Sequence, residues 1–260
     1  MGKALLMFII LAVIFVIEGI VPHYRGRTGR VRHAVPHLFT AVVNGILTRL
    51  ILAVITIAAI EWGRRMPVSP VRVVTLPPWI ETPFLFLFFD IWMYWWHRVN
   101  HRFAFLWRFH RAHHSDVQMD TTSALRFHPG ELILSTFIRL PMLILLGISF
   151  EQVVLFETML NISSLFHHSN LGIPERWDGL LRAIVTTPNM HRVHHSVIRE
   201  ETDSNYTSLL SVWDRLFGTF RLREDTRAIT TGLPTFREKR WQGFRGFMIT
   251  PFLDSPPALP

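Results

Sequence analysis

Apolar positions along this chain fall in long runs, the second interrupted by Asn44 and Arg49, unlike the alternation of a strand or the single stripe of a soluble helix. Residues 4–21 form the first run, 38–60 the second and 79–96 the third; 131–149 and 150–167 make a closely joined pair. A helix needs about 20 residues to cross the hydrocarbon core, so the first three runs predict membrane spans. The shorter pair, divided near Gly147–Ser149, predicts a re-entrant hairpin or two tightly fitted spans. Either way its outer ends lie on one side. Residues 170–260 are polar and rich in Pro and Arg, and predict a cap outside the bilayer.

The first run is followed by no small-x-small cleavage site and ends in Glu18, Gly19 and Pro22, which marks it as a retained anchor helix. Arg25, Arg27, Arg30 and Arg32 come next, and the positive-inside rule places them in the cytoplasm. Arg64, Arg65 and Arg72 in the 61–78 loop pull the other way with one charge fewer. Counting crossings from the N-terminus then sets the end of the third helix on the cytoplasmic face. The expected fold is an all-α membrane protein of about four transmembrane or re-entrant helices under a helical cytosolic cap. It is read as one membrane-embedded domain over 1–260. Residues 1–82 hold N-terminal helices and loops, 83–220 a histidine-rich core, and 221–260 a C-terminal cytosolic tail.

Composition agrees. Apolar residues make up 49% and charged residues 18%, and mean hydropathy is +0.27. There is no cysteine, which excludes disulfides, thiolate zinc sites, iron–sulfur clusters and cysteine nucleophiles. The net charge of +8 raises nucleic acid as a partner. The arginines, however, sit in short clusters beside apolar runs, a pattern suited to anionic membrane lipids and not to nucleic acid. Arg49, Arg139 and Glu157 lie inside apolar runs, where an unpaired charge costs several kcal/mol. Arg139 and Glu157 are equally far from the predicted turn near residue 148, so they are expected to pair. Arg49 is expected to face the bundle interior or a headgroup.

Eleven of the fourteen histidines fall between residues 97 and 195, and they are grouped. His97 and His101 are four apart, hence on one helical face. His110, His113, His114 and again His191, His194, His195 each form a HxxHH triplet. Successive side chains turn by about 100°, so one triplet can present imidazoles to two neighbouring metals. His128 precedes Pro129, and His167 with His168 ends the hairpin. A lone histidine is more often a hydrogen-bonded side chain than a ligand, and His23, His33 and His37 are read that way. Clusters are different: protonated, the rings would repel, and buried neutral they would leave nitrogens unsatisfied. A bound cation removes both problems. Imidazole suits iron, copper, nickel and zinc. A closed structural zinc site takes four ligands, fewer than are present, so the count favours two ions, and redox chemistry favours iron. Zinc is a possible occupant of a purified sample. A metal transporter would place its ligands at mid-membrane along a path, and a purely structural protein would leave the clusters unexplained. No flavin, nicotinamide or haem motif is present, so electrons would come from an external donor.

These motifs resemble the fatty acid hydroxylase (sterol desaturase) superfamily of membrane di-iron enzymes, from about residue 84 to 220. Asp90-x3-Tyr94-x2-His97-Arg98-x2-His101 is similar to the family's first box. Leu106-Trp107-Arg108-Phe109-His110-x2-His113-His114-Ser115 resembles the second, and Pro188-x2-His191-Arg192-x-His194-His195-Ser196 the third. Arg126-Phe127-His128-Pro129-x-Glu131 and Phe166-x-His168-Ser169-Asn170 look like the elements between them. Thr202-Asp203-x-Asn205-Tyr206 and Trp213-Asp214-x-Leu216-Phe217-Gly218-Thr219 follow the third box, with Thr207 where the family commonly has glycine.

The resemblance implies a dinuclear centre, two Fe ions, O2 as co-substrate, and hydroxylation of a lipid or sterol at an unactivated C–H bond. Desaturation, ketolation or ether cleavage at the same site are the alternatives. It carries the ligand role to His97, His101, His110, His113, His114, His128, His168, His191, His194 and His195, leaving His167 out. The external donor would be a reductase, a ferredoxin or a cytochrome b5-like protein. Asp90 and Tyr94 share the helical face of His97 and His101, and Asp90 or Asp203 is expected to accept an imidazole N–H and fix its tautomer. Asn205 and Tyr206 are expected to support the same ligands. The C-terminal residues carry no dilysine or KDEL-type signal, which favours a bacterial inner membrane over the endoplasmic reticulum.

Overall fold

The computed structural model describes residues 2–66 and 76–254. Arg72 and residues 255–260, used above for orientation and compartment, lie outside that range. Among the described residues the secondary structure is helical, with three isolated β-bridges and no strand. Helix α1 spans Gly2–Ile20, α2 Arg30–Leu47 and α3 Ala53–Arg65, the last two joined by a π-turn at Thr48–Leu52. Helix α4 spans Pro78–Arg102 and α5 Ala104–His114. The hairpin is α6, Pro129–Leu146, and α7, Phe150–His167.

Three helical runs among the described residues are long and apolar enough to cross a membrane: Gly2–Ile20, the continuous Arg30–Arg65 run, and Pro129–Leu146. The second is longer than the 38–60 segment expected, because Arg30 and Arg32 continue the helix rather than ending a loop. The third expected span, 79–96, lies within α4, which has the length. Its Glu81, Asp90 and Tyr94 lower its apolarity, as Glu151, Glu157 and Asn161 do for α7.

Local chemistry sets these boundaries. His128 caps α6 and Pro129 opens it, where a missing N–H costs nothing. Gly147 closes α6 at φ 60°, a left-handed conformation that favours glycine. Ser149 and Gln152 then form a reciprocal capping box that starts α7. The turn therefore falls where the sequence placed it, and Arg139 Nη2 lies 3.1 Å from Glu157 Oε1. Lys3 Nζ approaches the same carboxyl at 3.3 Å. Arg49 is exposed, so it does not point into the bundle.

Ile60, Leu85, Phe89, Met142, Leu143, Ile148, Val153 and Phe156 form the apolar core around the hairpin turn. The opposite ends of α4, α6 and α7 carry the histidines and buried polar groups. Six short helices follow, of which α8 (Glu175–Leu181), α9 (Pro188–His194), α10 (Arg199–Thr202) and α11 (Val212–Leu216) frame the site. The stretch from 239 to 254, expected as part of a tail, instead folds back over α5 and α6. Arg126 donates to the carbonyls of Trp241 and Gln242 at 3.3 and 3.2 Å, and Phe247 is buried.

Helices α3 and α6 meet backbone to backbone at Gly63, where an added Cβ would stand 2.6 Å from the Ile144 carbonyl oxygen. Gly63→Ala is expected to force the pair apart and cost about 1–3 kcal/mol, read as a lower thermal midpoint in detergent. Gly45→Ala, with open space around its Cβ, serves as the control and should not lower the midpoint.

Candidate metal centre

Four separate segments deliver imidazoles to one buried volume. The last two turns of α4 supply His97 and His101, α5 supplies His110, His113 and His114, the C-cap of α7 supplies His168, and α9 with its C-cap supplies His191, His194 and His195. Helix α9 is placed by Thr187, whose hydroxyl caps the Met190 N–H at 3.4 Å, and by Pro188 at its first position.

The rings sort into two groups, each with ligand atoms within 4.8 Å of one another: His97, His101, His110, His114 and His194, then His113, His168, His191 and His195. Each HxxHH triplet is divided between the groups, as a turn of about 100° per residue requires. The groups abut, and His114 of the first stacks on His195 of the second with ring centroids 4.3 Å apart. All nine rings are at most 9% exposed.

Their hydrogen bonds are one-sided. His97 Nδ1 donates to the Tyr206 carbonyl at 2.7 Å, His194 Nδ1 to that of Ser204 at 2.7 Å, and His168 Nδ1 to that of Ser164 at 2.8 Å. A carbonyl only accepts, so these tautomers are fixed and each Nε2 keeps its lone pair. His110 Nδ1 meets Glu131 Oε1 at 2.8 Å and His101 Nδ1 meets Asp203 Oδ1 at 3.3 Å. The Nε2 atoms then face one another: His97 to His110 at 3.0 Å, His110 to His114 at 3.2 Å, His113 to His168 at 3.0 Å and His168 to His191 at 3.1 Å. Nε2 of His101, Nε2 of His194 and both nitrogens of His195 are buried without any hydrogen-bond partner.

Burial holds His113, His114, His191, His194 and His195 well below the usual imidazole range, and neighbouring rings add to the effect. Neutral lone pairs converging without protons between them leave a large unmet cost, about 1–3 kcal/mol for each unsatisfied buried group. Two nitrogens bound at right angles to an ion at about 2.1 Å would stand about 3.0 Å apart, which is the spacing seen. The residues present therefore fit two metal ions.

Not every expected residue joins them. His128 is the expected ligand that enters neither group: its Nδ1 accepts the Gly130 N–H at 3.0 Å and its Nε2 donates to the Met248 carbonyl at 3.2 Å. Both nitrogens are occupied by capping α6 and holding the 244–249 helix. His167 is buried against His191, with centroids 4.1 Å apart, but outside both groups. Asp90 touches no imidazole; its Oδ2 accepts the Trp213 indole N–H at 2.7 Å and the Leu210 N–H at 3.1 Å. The Tyr94 hydroxyl bonds Thr219 Oγ1 at 2.9 Å instead of a ligand. Of the two aspartates proposed to fix a tautomer, it is Asp203 that reaches a ring.

Asn205 sits at φ 51° and its amide braces the loop, donating to the carbonyls of Met190 and Arg221 at 2.9 and 2.7 Å. Tyr206 acts through its carbonyl on His97 and packs its ring 5.2 Å from that of His101. Thr207 does not take a left-handed conformation, so it needs no glycine, and its N–H donates to Asp214 Oδ2 at 3.0 Å. Sequence reasoning gave no role to Glu131 or Asp214. Asp214 gathers Tyr206 N–H, Thr207 N–H and Thr219 Oγ1 at 2.8, 3.0 and 2.7 Å. Both residues stood inside quoted motifs, which was the available signal.

His33 and His37 form a third group with Asp120, but every ring nitrogen there has a partner. His33 spans Asp120 and Asp116 at 3.0 and 2.8 Å, and His37 meets Thr122 and Arg126 at 2.9 and 3.2 Å. They are hydrogen-bonded side chains, as read from the sequence.

Residues 82–219 match the family model described as fatty acid hydroxylase. Alkylglycerol monooxygenase of Homo sapiens is 30% identical over 179 residues, covering 66% of this chain and 38% of that protein. The ornithine lipid hydroxylase OlsE of Rhizobium tropici is 33% identical over 124 residues, 48% of this chain and 37% of its own length. The sphingolipid C4-hydroxylase sur2 of Schizosaccharomyces pombe is 30% identical over 139 residues, 53% and 46% respectively. The chain thus spans less than half the length of these curated relatives. No solved structure matches.

Removing one Nε2 donor should release metal while removing His128 should not. His194→Ala is expected to lose at least one of two ions by mass-spectrometric metal analysis. His128→Ala is expected to keep both and lose about 1 kcal/mol of stability with its cap. Glu131→Gln should weaken metal affinity about 10- to 100-fold by loosening His110.

Proposed function

The chain belongs to the fatty acid hydroxylase family, and from that premise we propose that it is an integral-membrane, O2-dependent di-iron oxygenase that hydroxylates a lipid at an unactivated C–H bond. The observation that carries this reading is the pair of abutting imidazole groups, nine rings with their free nitrogens turned inward. Its relatives named for lipid hydroxylation or monooxygenation support the substrate class.

In this reading His97, His101, His110, His114 and His194 hold one ion, and His113, His168, His191 and His195 the other. When bound, two iron ions supply the redox chemistry that O2 activation requires and that no side chain of this chain can provide. The protein's own share is geometric and electrostatic. Carbonyls of Tyr206, Ser204 and Ser164 fix three tautomers, so those ligands need not reorganise during turnover. Glu131 and Asp203 accept hydrogen bonds from Nδ1 of His110 and His101, which makes those rings stronger metal ligands. Buried surroundings keep bulk water away from a reactive oxidant. An acyl chain or sterol would approach from the bilayer side, and the electrons from an external donor on the cap side. The metal groups sit at helix ends under the cap, not along a path through the helices, which favours this reading over a transporter. The cap would lie in the cytoplasm, in a bacterial inner membrane or the endoplasmic reticulum.

Purified protein is expected to contain about two iron ions per chain, with zinc displacing them in iron-poor growth. Given a lipid extract, a one-electron donor and isotopically labelled O2, it should yield a lipid alcohol carrying the label. Metal uptake into vesicles with no O2 consumed would overturn the proposal.

A further inference from the structure

The cap carries an apolar face that the metal centre does not use. Trp177, Leu180, Leu181 and Ile184, in and just after α8, are exposed together with Val212 and Leu216 of α11; Leu180, Ile184 and Leu216 are each 65% exposed. The two segments are clamped side by side. Ser211 N–H donates to the Ile184 carbonyl at 3.0 Å and Thr186 N–H to that of Leu209 at 2.9 Å. Ser211 Oγ and Arg215 Nη2 both donate to the Arg182 carbonyl, at 2.6 and 2.8 Å. The six side chains therefore belong to one rigid surface.

Helix α4 fixes the depth of that surface. Trp213 and Leu210 are both anchored on Asp90, and Phe217 packs on Tyr94 and Trp95 with centroids 5.1 and 4.9 Å apart. Asp90 precedes His97 by seven residues, about 10 Å along the axis at 1.5 Å per residue, away from the metal groups and into the apolar run. On the same helix Phe84, Leu87 and Phe88 are exposed. On α7, Ser163 Oγ donates to the Ser208 carbonyl at 2.7 Å, and Leu155 and Met159 are exposed further along that helix. The cap's apolar face is thus anchored beside the exposed apolar surfaces of two long helices. Arg176 is exposed beside it, while Arg182 is held by Glu175 and Asp178 and Arg215 by Ser211 and the Arg182 carbonyl.

A contiguous group of six large apolar side chains is unusual on a surface meant for water. Short helices with apolar residues on one side and arginine at the edge suit the boundary between headgroups and acyl chains, where the guanidinium reaches phosphate. We infer that residues 175–184 and 212–216 are seated in that boundary of the bilayer the long helices cross. The cap is then sunk into one leaflet instead of standing clear of it, and lipid covers this face. The inference concerns the protein's seat in the membrane and stands whether or not the proposed reaction does.

The absence of cysteine makes the test direct. Leu180→Cys, Ile184→Cys and Leu216→Cys would each carry a spin label, with Glu224→Cys, exposed on the polar part of the cap, as the aqueous reference. All four positions are exposed, so a label disturbs little packing. In nanodiscs of phosphatidylcholine and phosphatidylglycerol, accessibility to O2, which partitions into lipid, is compared with accessibility to a water-soluble nickel chelate. The ratio at 180, 184 and 216 is expected to exceed that at 224 by roughly an order of magnitude. A ratio equal to that at 224 would show the face in water. Low accessibility to both relaxants would show it covered by protein, such as a second copy. Either result overturns the inference.

Discussion

Nine buried imidazoles share a space from which water is excluded, and that is the arrangement everything else in the molecule serves. Charged, the rings would repel in a medium that screens poorly. Neutral and without ions, they would leave lone pairs facing lone pairs at 3.0–3.2 Å. The chain therefore spends polar groups on holding five of the rings, with Nδ1 of His97, His168 and His194 on carbonyls, Nδ1 of His101 and His110 on carboxylates, and Nε2 inward. Such an arrangement is costly without a cation and stabilising with one, which couples metal binding to folding.

The layers around the rings follow from that need. Asp214 and Asn205 shape the loop that offers the Tyr206 carbonyl to His97. Arg126, fully buried, ties the end of α5 to the segment near 241 through Ser115 and the carbonyls of Trp241 and Gln242. Glu18, at the end of α1, accepts from Arg30 and from the backbone of Thr121 and Asn170, at 2.8, 3.1 and 2.8 Å. A membrane helix is thereby fastened to two loops of the site. Polar networks of this kind are stabilising only when nearly every member is satisfied, and the unsatisfied nitrogens gather at the metal groups. The apolar core around the hairpin turn lies at the far end, so packing and chemistry occupy opposite ends of the same helices.

Much of this was legible in the residues. Long apolar runs gave the helices, and glycine with a serine cap marked the hairpin turn. The period of the α-helix divides each triplet between two groups. Two kinds of feature were not legible. The role of His128 depends on the loop before α6 and on a segment 120 residues later, and histidine as a helix cap is indistinguishable from histidine as a ligand when read in one dimension. Asp90 shares a helical face with His97, yet a face spans more than one neighbour, and the indole of Trp213 claims it. Glu131 lay unassigned because its partner, His110, is set by how α5 crosses α6 and not by spacing. The count of spans was blurred for a physical reason too: α4 and α7 carry polar residues that pair with or anchor neighbouring segments, Glu157 with Arg139 and Asp90 with Trp213 among them, and so read as less apolar than α1.

The central claim is that the two groups of imidazoles each hold a metal ion. X-ray absorption on the iron-loaded protein in bilayers tests it most directly, because imidazole rings leave a distinctive multiple-scattering pattern. The account predicts a first shell at about 2.0–2.2 Å dominated by imidazole nitrogen, about four rings per iron. A spectrum with one imidazole or none per iron, or no tightly bound metal at all, would contradict it.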